Sequence, residues 1–173
     1  MTDPDAPAMR AGPTDLTPLV SAPASGAPPP FPKAKVGLDA CWQSVGLSGQ
    51  YDSDFADLVK ACGTPTGMVR FTQTMKGVLD QGHTSDLYKT KLYAGFCYRA
   101  LAAGDSTMAD LDIRLQKPDG ALIAVDRATQ PIAILADDKA WCEDADADIN
   151  FVLFLDGKGS GRYAFQLWIG PKS

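Results

Sequence analysis

Aspartates are the residues best placed to do chemistry in this sequence, because 20 of its 21 acidic residues are Asp. Asp110 and Asp112 alternate with apolar residues and would point to the same face of one strand. Asp105, Asp119 and Asp126 lie in flanking turns from which they could approach that pair. Calcium takes about six to eight oxygen ligands, which Asp-rich turns can supply, so these five aspartates are candidate calcium ligands. Their spacing is not that of an EF-hand, and solvated strand-face and turn aspartates are the favoured alternative.

A second acidic cluster surrounds the Trp141-Cys142 pair. Its members are Asp137, Asp138, Glu143, Asp144, Asp146 and Asp148. A bound cation would relieve their mutual repulsion, and so would a loop exposed to water. We expect millimolar calcium to raise the melting temperature if either acidic group binds it.

The four cysteines, Cys41, Cys62, Cys97 and Cys142, are widely spaced, and the only histidine is His83. Closely spaced ligand pairs are absent, which argues against a zinc site. An even number of distant cysteines fits two disulfides and an oxidising compartment. Of the three pairings that four cysteines allow, we favour Cys41 with Cys62 and Cys97 with Cys142, since each pair then lies within one segment of the chain. The alternative is four reduced, buried thiols in a cytosolic protein.

A catalytic site would have to be built around His83. A Ser-His-Asp arrangement could be drawn from His83, Ser85 and an aspartate, but His83 lies at an apparent boundary between segments, where a surface or packing role is favoured. The glycine-rich residues 157–161 have the spacing of neither a phosphate-binding loop nor a nucleophile elbow, and they predict a hairpin loop.

Aromatic residues offer a further candidate for binding. Trp141, Tyr163 and Trp168 fall on or beside predicted strands, and exposed rings on a β-sandwich can bind carbohydrate or peptide. Because an alternating strand turns about half of its residues toward the core, burial of these rings is the alternative.

The charge balance disfavours two classes of partner. A net charge of −5 and a pI near 4.7 argue against nucleic acids and anionic membranes, whose binding needs a basic patch. No apolar run approaches the ~20 residues of a membrane span, and Met1 leads into no signal peptide. We expect a soluble chain, and the cysteines favour a periplasmic, outer-membrane-associated or secreted protein whose signal sequence is not in this sequence.

Composition divides the chain into three predicted segments. Residues 1–32 hold nine of the 13 prolines and predict a disordered tail, either a tether or an inert terminus. Residues 33–82 predict a helical subdomain, with apolar residues at helical spacing over 36–45, 55–62 and 68–79. A bond between Cys41 and Cys62 would staple the first two helices. Residues 83–173 predict a β-sandwich domain.

The apolar period changes to two after His83, which predicts strands. They are expected at 87–92, 96–101, 110–116, 121–125, 132–135, 149–155 and 162–169. Leu111, Ile113 and Leu115 should face a core and the charges between them should face solvent. The fold class is therefore mainly β, an antiparallel, jelly-roll-like β-sandwich preceded by a small disulfide-stapled α-helical unit.

Several of these stretches together resemble a known family. They include Ala94-Gly95-Phe96-Cys97-Tyr98, Asp110-Leu111-Asp112-Ile113-Arg114-Leu115 and Pro118-Asp119-Gly120. Over residues 85–170, roughly half of the chain, the sequence resembles the bacterial pre-peptidase C-terminal domain. That family is a small β-sandwich found on secreted proteases, other exported proteins and envelope lipoproteins, and some members bind calcium or polymers such as collagen. The resemblance implies the fold and an exported setting; residues 33–82 are not part of the family, and this chain contains no protease.

These observations favour a non-catalytic, exported accessory, binding or structural protein of the bacterial cell envelope or of a secreted assembly. Its partner would be a protein or a polysaccharide, and calcium is the one cofactor that the residues suggest. One alternative is a hydrolase whose site lies at the seam between helices and sandwich, near His83. Another is a protease inhibitor or regulator presented by the disulfide-locked loops.

Overall fold

Strands of alternating polarity assemble into two sheets. The computed structural model describes residues 14–15, 41–126, 130–135 and 141–172. The first sheet has the strand order β1-β4-β10-β6-β7. Its strands are β1 (Thr14–Asp15), β4 (Ser85–Leu92), β10 (Ala147–Leu155), β6 (Leu111–Gln116) and β7 (Leu122–Val125). The β1–β4 pair is parallel, and the other pairs are antiparallel.

The second sheet is antiparallel and is organised around its longest strand. Its strands are β2 (Val69–Arg70), β3 (Met75–Leu79), β5 (Phe96–Gly104), β8 (Ile132–Leu135), β9 (Trp141–Cys142) and β11 (Gly161–Pro171). Strand β11 pairs with β5 on one side and with β2 and β3 on the other, and β5 also pairs with β8 and β9.

The main core lies between the two sheets. Leu111, Ile113 and Leu115 of β6 share one buried cluster with Tyr163 and Phe165 of β11. Burial of such apolar faces is the main force that holds two sheets together. The predicted antiparallel sandwich, and the inward orientation of these three β6 residues, are confirmed.

A short helical unit covers the outer face of the second sheet. It consists of a 3-10 turn at Cys41–Ser44, helix α1 (Tyr51–Leu58), a π-helical turn at Val59–Gly63 and a 3-10 turn at Thr64–Thr66.

A second buried cluster joins this unit to the sheet. Phe55 and Leu58 of α1 pack with Leu101 of β5 and Trp168 of β11. Strand β5 is therefore covered on both faces, which explains why all nine of its residues are buried.

The prediction of a third helix over residues 68–79 is wrong. Met68, Phe71, Met75 and Val78 have helical spacing, but this stretch forms β2 and β3. Strand β3 pairs with β11 at five positions, and these backbone hydrogen bonds outweigh a weak local helical pattern. In the described residues, the helical unit ends at Thr66.

Two disulfides fasten the described elements. One joins Cys41 in the first 3-10 turn to Cys62 in the π-helical turn and staples the helical unit, as predicted. The other joins Cys97 of β5 to Cys142 of β9, which are opposite each other in register. All four cysteines of the chain are thus oxidised.

Two predictions fall largely outside the described residues. Of the predicted tail over 1–32, only Thr14 and Asp15 are described, and of the first predicted helix only the part from Cys41 onward. The division into tail, helical subdomain and sandwich domain stays a prediction. No helix in the described ranges is long and apolar enough to cross a membrane.

Candidate functional site

Three aspartates meet at one end of the first sheet. Carboxylate oxygens of Asp110, Asp112 and Asp156 all lie within 4.8 Å of one another. Asp110 precedes β6 and Asp156 follows β10, and the antiparallel pairing of Leu155 with Leu111 brings these strand ends together. The backbone N–H of Asp156 donates to the carbonyl oxygen of Asp110 at 3.1 Å.

Asp112 is the buried member of this carboxylate cluster. It lies on the opposite face of β6 from Leu111 and Ile113, yet it is only 5% exposed, so the prediction that it faces solvent is wrong. Its Oδ1 atom has no hydrogen-bond partner among the described residues. Burial is the main cause that raises its pKa to about 7, and the negative charges of neighbouring aspartates add to the effect.

Asp110 and Asp126 complete the surroundings of Asp112. Asp110 Oδ1 accepts a hydrogen bond from the backbone N–H of Gln130 at 3.1 Å, and burial raises the pKa of Asp110 above its usual value. The charge of Asp126 acts on Asp112 and raises its pKa, which places Asp126 close to the cluster. The guanidinium of Arg114 lowers the pKa of Asp112, but this is the smallest of the contributions.

The two remaining predicted ligands, Asp105 and Asp119, lie outside this cluster and accept hydrogen bonds from backbone N–H groups. Asp105 accepts hydrogen bonds from the backbone N–H groups of Tyr51 at 3.1 Å and Arg162 at 2.8 Å, so it ties the start of α1 to β11. Asp119 Oδ1 accepts from the N–H of Ala121 at 2.9 Å within the β6–β7 turn. Neither carboxylate belongs to the cluster. The third member of the cluster, Asp156, was not among the ligands predicted from the sequence.

The carboxylate cluster has the chemistry to hold a hard divalent cation. Carboxylate and carbonyl oxygens are the ligands that Ca²⁺ prefers. A buried acidic oxygen without a donor is costly, and a cation beside Asp112 would supply the missing interaction and neutralise the crowded charges. The residues at this position therefore fit a cation.

Two members of the second acidic cluster, Asp144 and Asp146, have their own partners in the described residues. Asp137 and Asp138 lie outside them. Asp146 accepts a hydrogen bond from the N–H of Ala94 at 3.0 Å, which is the main reason why its pKa is lowered. Lys172 pairs with Asp144 at the surface. Burial, and next the charge of Asp144, raise the pKa of Glu143. Among the described residues, these acids do not come together as Asp110, Asp112 and Asp156 do.

His83 joins a hydrogen-bond network that runs into the core. Its Nε2 atom is 2.8 Å from Asp86 Oδ1, and the hydroxyl of Tyr163 donates to Asp86 Oδ2. The hydroxyl of Tyr88 in turn donates to that of Tyr163. The network crosses the sandwich from β4 to β11. A Cβ atom added at Gly77 would lie 2.5 Å from the Tyr163 hydroxyl oxygen, so only glycine allows β3 to approach so closely.

The catalytic arrangement considered from sequence is not brought together in the described residues. Ser85 is exposed, whereas Asp86 is buried on the core-facing side of β4. No hydrogen bond joins Ser85 to His83 among the described residues. The sequence analysis singled out His83. It did not predict that His83 contacts Asp86 or that Tyr163 donates to the same carboxylate.

The proposed aromatic binding residues are largely buried. Tyr163 is fully buried in the main core, and Trp168 is 4% exposed beneath the helical unit, so neither ring can serve as a surface platform. A Cβ atom added at Gly63 would lie 2.8 Å from the Trp168 ring, which shows how closely the helical unit approaches it. Trp141 is half-buried, with its ring centroid 6.4 Å from that of Tyr98.

No protein-family model matches the chain, and no curated protein is significantly similar to it in sequence. The fold is similar to the pre-peptidase C-terminal domain of a collagenase from Bacillus anthracis, with a TM-score of 0.44, 13% identity, and coverage of 55% of this chain and 87% of that one. It is also similar to PliG, a periplasmic inhibitor of g-type lysozyme from Aeromonas hydrophila, with a TM-score of 0.41, 12% identity, and coverage of 57% and 85%.

A third similar structure is the Drosophila NLP core, with a TM-score of 0.25, 13% identity, and coverage of 54% of this chain and 95% of that one. A pre-peptidase C-terminal domain is thus among the structures similar to this fold, as the sequence resemblance predicted. At TM-scores of 0.44 and below, these likenesses carry no conclusion about function.

Proposed function

We propose that this chain is an exported, non-catalytic binding or structural domain of the bacterial cell envelope or of a secreted assembly. The observation that carries the proposal is that both disulfides are formed and use all four cysteines. Disulfides persist in the periplasm and outside the cell, and they are rare in the reducing cytosol. Protein and polysaccharide partners both fit such a setting.

The contacts of His83 support a structural role over a catalytic one. The Nε2 of His83 contacts the buried carboxylate of Asp86, so Nδ1 is the nitrogen that a general base would use, and no hydroxyl in the described residues is hydrogen-bonded to it. The competing proposal is a hydrolase at the seam between helices and sandwich. Substituting His83 by Gln would abolish the activity of a His-dependent hydrolase and leave a binding module functional.

Export can be tested through the state of the cysteines. We expect the protein isolated from its native host to show no alkylated cysteine by intact mass without reductant, and four after denaturation and reduction. Four alkylated cysteines without reductant would overturn the proposal of an oxidising compartment.

A divalent cation at the carboxylate cluster is the second part of the proposal. It is favoured by the buried Oδ1 of Asp112, which has no hydrogen-bond partner in the described residues. We propose Asp110, Asp112, Asp126 and Asp156 as its ligands, with calcium as the cation. A cation that binds only the folded state at ten times its Kd stabilises that state by about 1.4 kcal/mol, which should raise the melting temperature.

Calcium titration with two matched variants tests this cation site. Asp112→Asn should abolish the rise in melting temperature, whereas Asp119→Asn, which removes a carboxylate outside the cluster, should preserve it. Magnesium and a chelator serve as controls. An equal calcium response in wild type and in Asp112→Asn would exclude the cluster as the binding site.

The chain could instead act as a protease inhibitor or regulator. The loop after β9 would then be the contact surface, because the Cys97–Cys142 bond fixes its start beside β5. Inhibition assays against proteases, compared before and after selective reduction, would distinguish this function from simple binding.

A further inference from the structure

A groove lies on the outer face of the first sheet, over β4 and β10. It has a volume of about 480 Å³, which is within the range of ligand-binding sites, and its lining includes Lys89, Lys91, Asp148, Asn150 and Pro118. Lys89 stands opposite Asn150 in register, and Lys91 stands opposite Asp148. These four residues alternate with core residues of the two strands, so their side chains lie on the face turned away from the sandwich interior.

Asn150 is a buried polar residue in this outer groove. It is only 7% exposed, yet its side-chain amide forms no hydrogen bond with any described residue. An asparagine amide has two N–H donors and an acceptor oxygen, and burying them without partners costs free energy. Val152, two residues further along the same face, is 8% exposed, so this face also accommodates an apolar residue. Packing alone therefore does not require an amide at position 150.

The charges around the outer groove include as many acids as lysines. Lys91 Nζ is 3.5 Å from an Asp146 oxygen. Lys89 and Asp148 add one charge of each sign to the lining. On its other side, Lys89 stands opposite Asp15 of β1 in register. The groove therefore has no excess positive charge with which to attract an acidic ligand.

We propose that the outer groove binds a neutral saccharide and that Asn150 is its anchor. This inference rests on the proposed function of a binding domain and selects polysaccharide over protein as the class of partner. Neighbouring hydroxyl groups of a sugar ring both donate and accept, so one accepts from Asn150 Nδ2 while the next donates to Asn150 Oδ1. The Lys89 ammonium donates to a further sugar oxygen, and the Asp148 carboxylate accepts from a further hydroxyl.

A saccharide matches the polarity and the charge of the outer groove better than other ligands do. An apolar ligand would cover the amide of Asn150 without supplying hydrogen bonds. For an anion, repulsion by Asp148 would offset attraction by Lys89. A neutral, hydroxyl-rich ligand satisfies donors and acceptors alike, and the ring of Pro118 offers an apolar wall to its C–H groups.

Asn150 is the only asparagine of the chain, which provides a unique reporter for the test. Isotopic labelling of asparagine nitrogen in the full chain leaves a single side-chain amide group to follow by NMR. The probes are the neutral sugars cellotetraose and chitotetraose, and the controls are tetragalacturonate and a tetra-aspartate peptide. We expect at least one neutral sugar to shift the Asn150 amide signal, with half-saturation at about 1 mM, as a few solvent-exchanged hydrogen bonds allow.

Two outcomes of this titration would overturn the proposal. The first is an Asn150 signal that neither neutral sugar moves at about 20 mM, where a ligand of the expected affinity would be close to saturation. The second is an anionic probe that shifts the signal as much as the neutral sugars do, because the groove would then recognise charge. A response to the aspartate peptide alone would assign the groove to a protein partner.

Three variants, measured by isothermal titration calorimetry with the same sugars, locate the binding. Asn150→Leu replaces the amide by an apolar side chain of similar size, so affinity should fall about tenfold or more while the melting temperature is kept. Lys89→Ala should weaken binding about threefold or more. Lys158→Ala makes the same change at an exposed lysine in the β10–β11 loop and should leave binding unchanged.

The variants also show how the proposal can fail. Full affinity in Asn150→Leu or in Lys89→Ala would place the sugar elsewhere, and a large loss of stability in Asn150→Leu would show that the amide serves the fold. If no sugar moves the Asn150 signal while the cysteines resist alkylation, the groove proposal falls and the export proposal stands. Four alkylated cysteines together with a sugar-dependent shift would give the reverse result.

Discussion

Two buried aspartates on either side of β10 have opposite surroundings. Asp86 on β4 and Asp112 on β6 are 4% and 5% exposed, and they stand opposite the consecutive residues Leu153 and Phe154. Asp86 points into the sandwich and is hydrogen-bonded through both oxygens. Asp112 points to the outer face, has an oxygen without a partner in the described residues, and is surrounded by other acids.

This difference separates a carboxylate with a structural role from one that we propose as a cation ligand. A buried charge with satisfied hydrogen bonds can hold two sheets in register, whereas a buried charge among like charges costs stability. Groups that are retained despite such a cost occur preferentially at functional sites. The comparison therefore assigns Asp86 to the fold and Asp112 to the proposed cation site.

The largest effect is expected when Asp86 is removed. Asp86→Ala leaves His83 and Tyr163 without their shared acceptor, so we expect a loss of about 3 kcal/mol in the free energy of unfolding. Chemical denaturation measures this loss. Asp57→Ala, at an exposed Asp on α1 that pairs with Lys60, should change stability by less than about 0.5 kcal/mol. Equal losses of unfolding free energy in the two variants would contradict a structural role for Asp86.

Substitution of the other buried aspartate, Asp112, is expected to increase the free energy of unfolding. Asp112→Asn removes a crowded charge, so at about pH 8 and without divalent cations we expect a gain of about 2 kcal/mol in the free energy of unfolding. The measurement is the same denaturation experiment in the presence of chelator. A loss as large as that of Asp86→Ala would show that the two carboxylates do not differ in kind.

The pH dependence of stability should also distinguish Asp112, because its pKa is raised in the folded protein. The pKa of Asp112 is about 7 in the folded protein and about 3.9 for an unfolded Asp. Between these values the folded state binds a proton that the unfolded state has released, so the stability contributed by Asp112 falls as the pH rises toward 7.

From about pH 6 to about pH 7.5, the wild type should lose about 1 kcal/mol relative to Asp112→Asn. Thermal denaturation of both proteins in chelator measures this difference. Parallel stability curves for the two proteins would contradict the raised pKa of Asp112.

The smallest effect is expected at the surface end of the Asp86 network. The side chain of His83 is 46% exposed, and exposed ion pairs contribute little. We expect His83→Gln to lower the free energy of unfolding by about 0.5 kcal/mol, since the amide can still donate to Asp86. A loss comparable to that of Asp86→Ala would mean that the histidine, and not the tyrosine pair, holds the network together.

The sandwich could be predicted because its strands carry their pattern locally. Leu111, Ile113 and Leu115 alternate with polar residues, and Pro118-Asp119-Gly120 marks the turn that follows. The stretch 68–79 carries no such alternation, because Met68, Phe71, Met75 and Val78 fall at helical spacing instead. Only pairing with β11, about ninety residues later, decides its structure.

The carboxylate cluster could be predicted only in part for a similar reason. Asp110 and Asp112 are neighbours in sequence, but Asp156 reaches them through the pairing of β6 with β10. The available signal was that Asp110 begins one predicted strand and Asp156 ends another. Burial of Asp112 could not be inferred from alternation, which assigns every charged residue of β6 to solvent.

The central position of β11 has a consequence for how the molecule forms. Strands β2, β3 and β5 are each joined to β11, and β2 and β3 pair with no other described strand. The second sheet therefore cannot close until residues 161–171 have been synthesised, and its assembly depends on contacts between distant parts of the chain. Folding of the second sheet should be slow, and its other strands should stay accessible to chaperones until β11 has emerged from the ribosome.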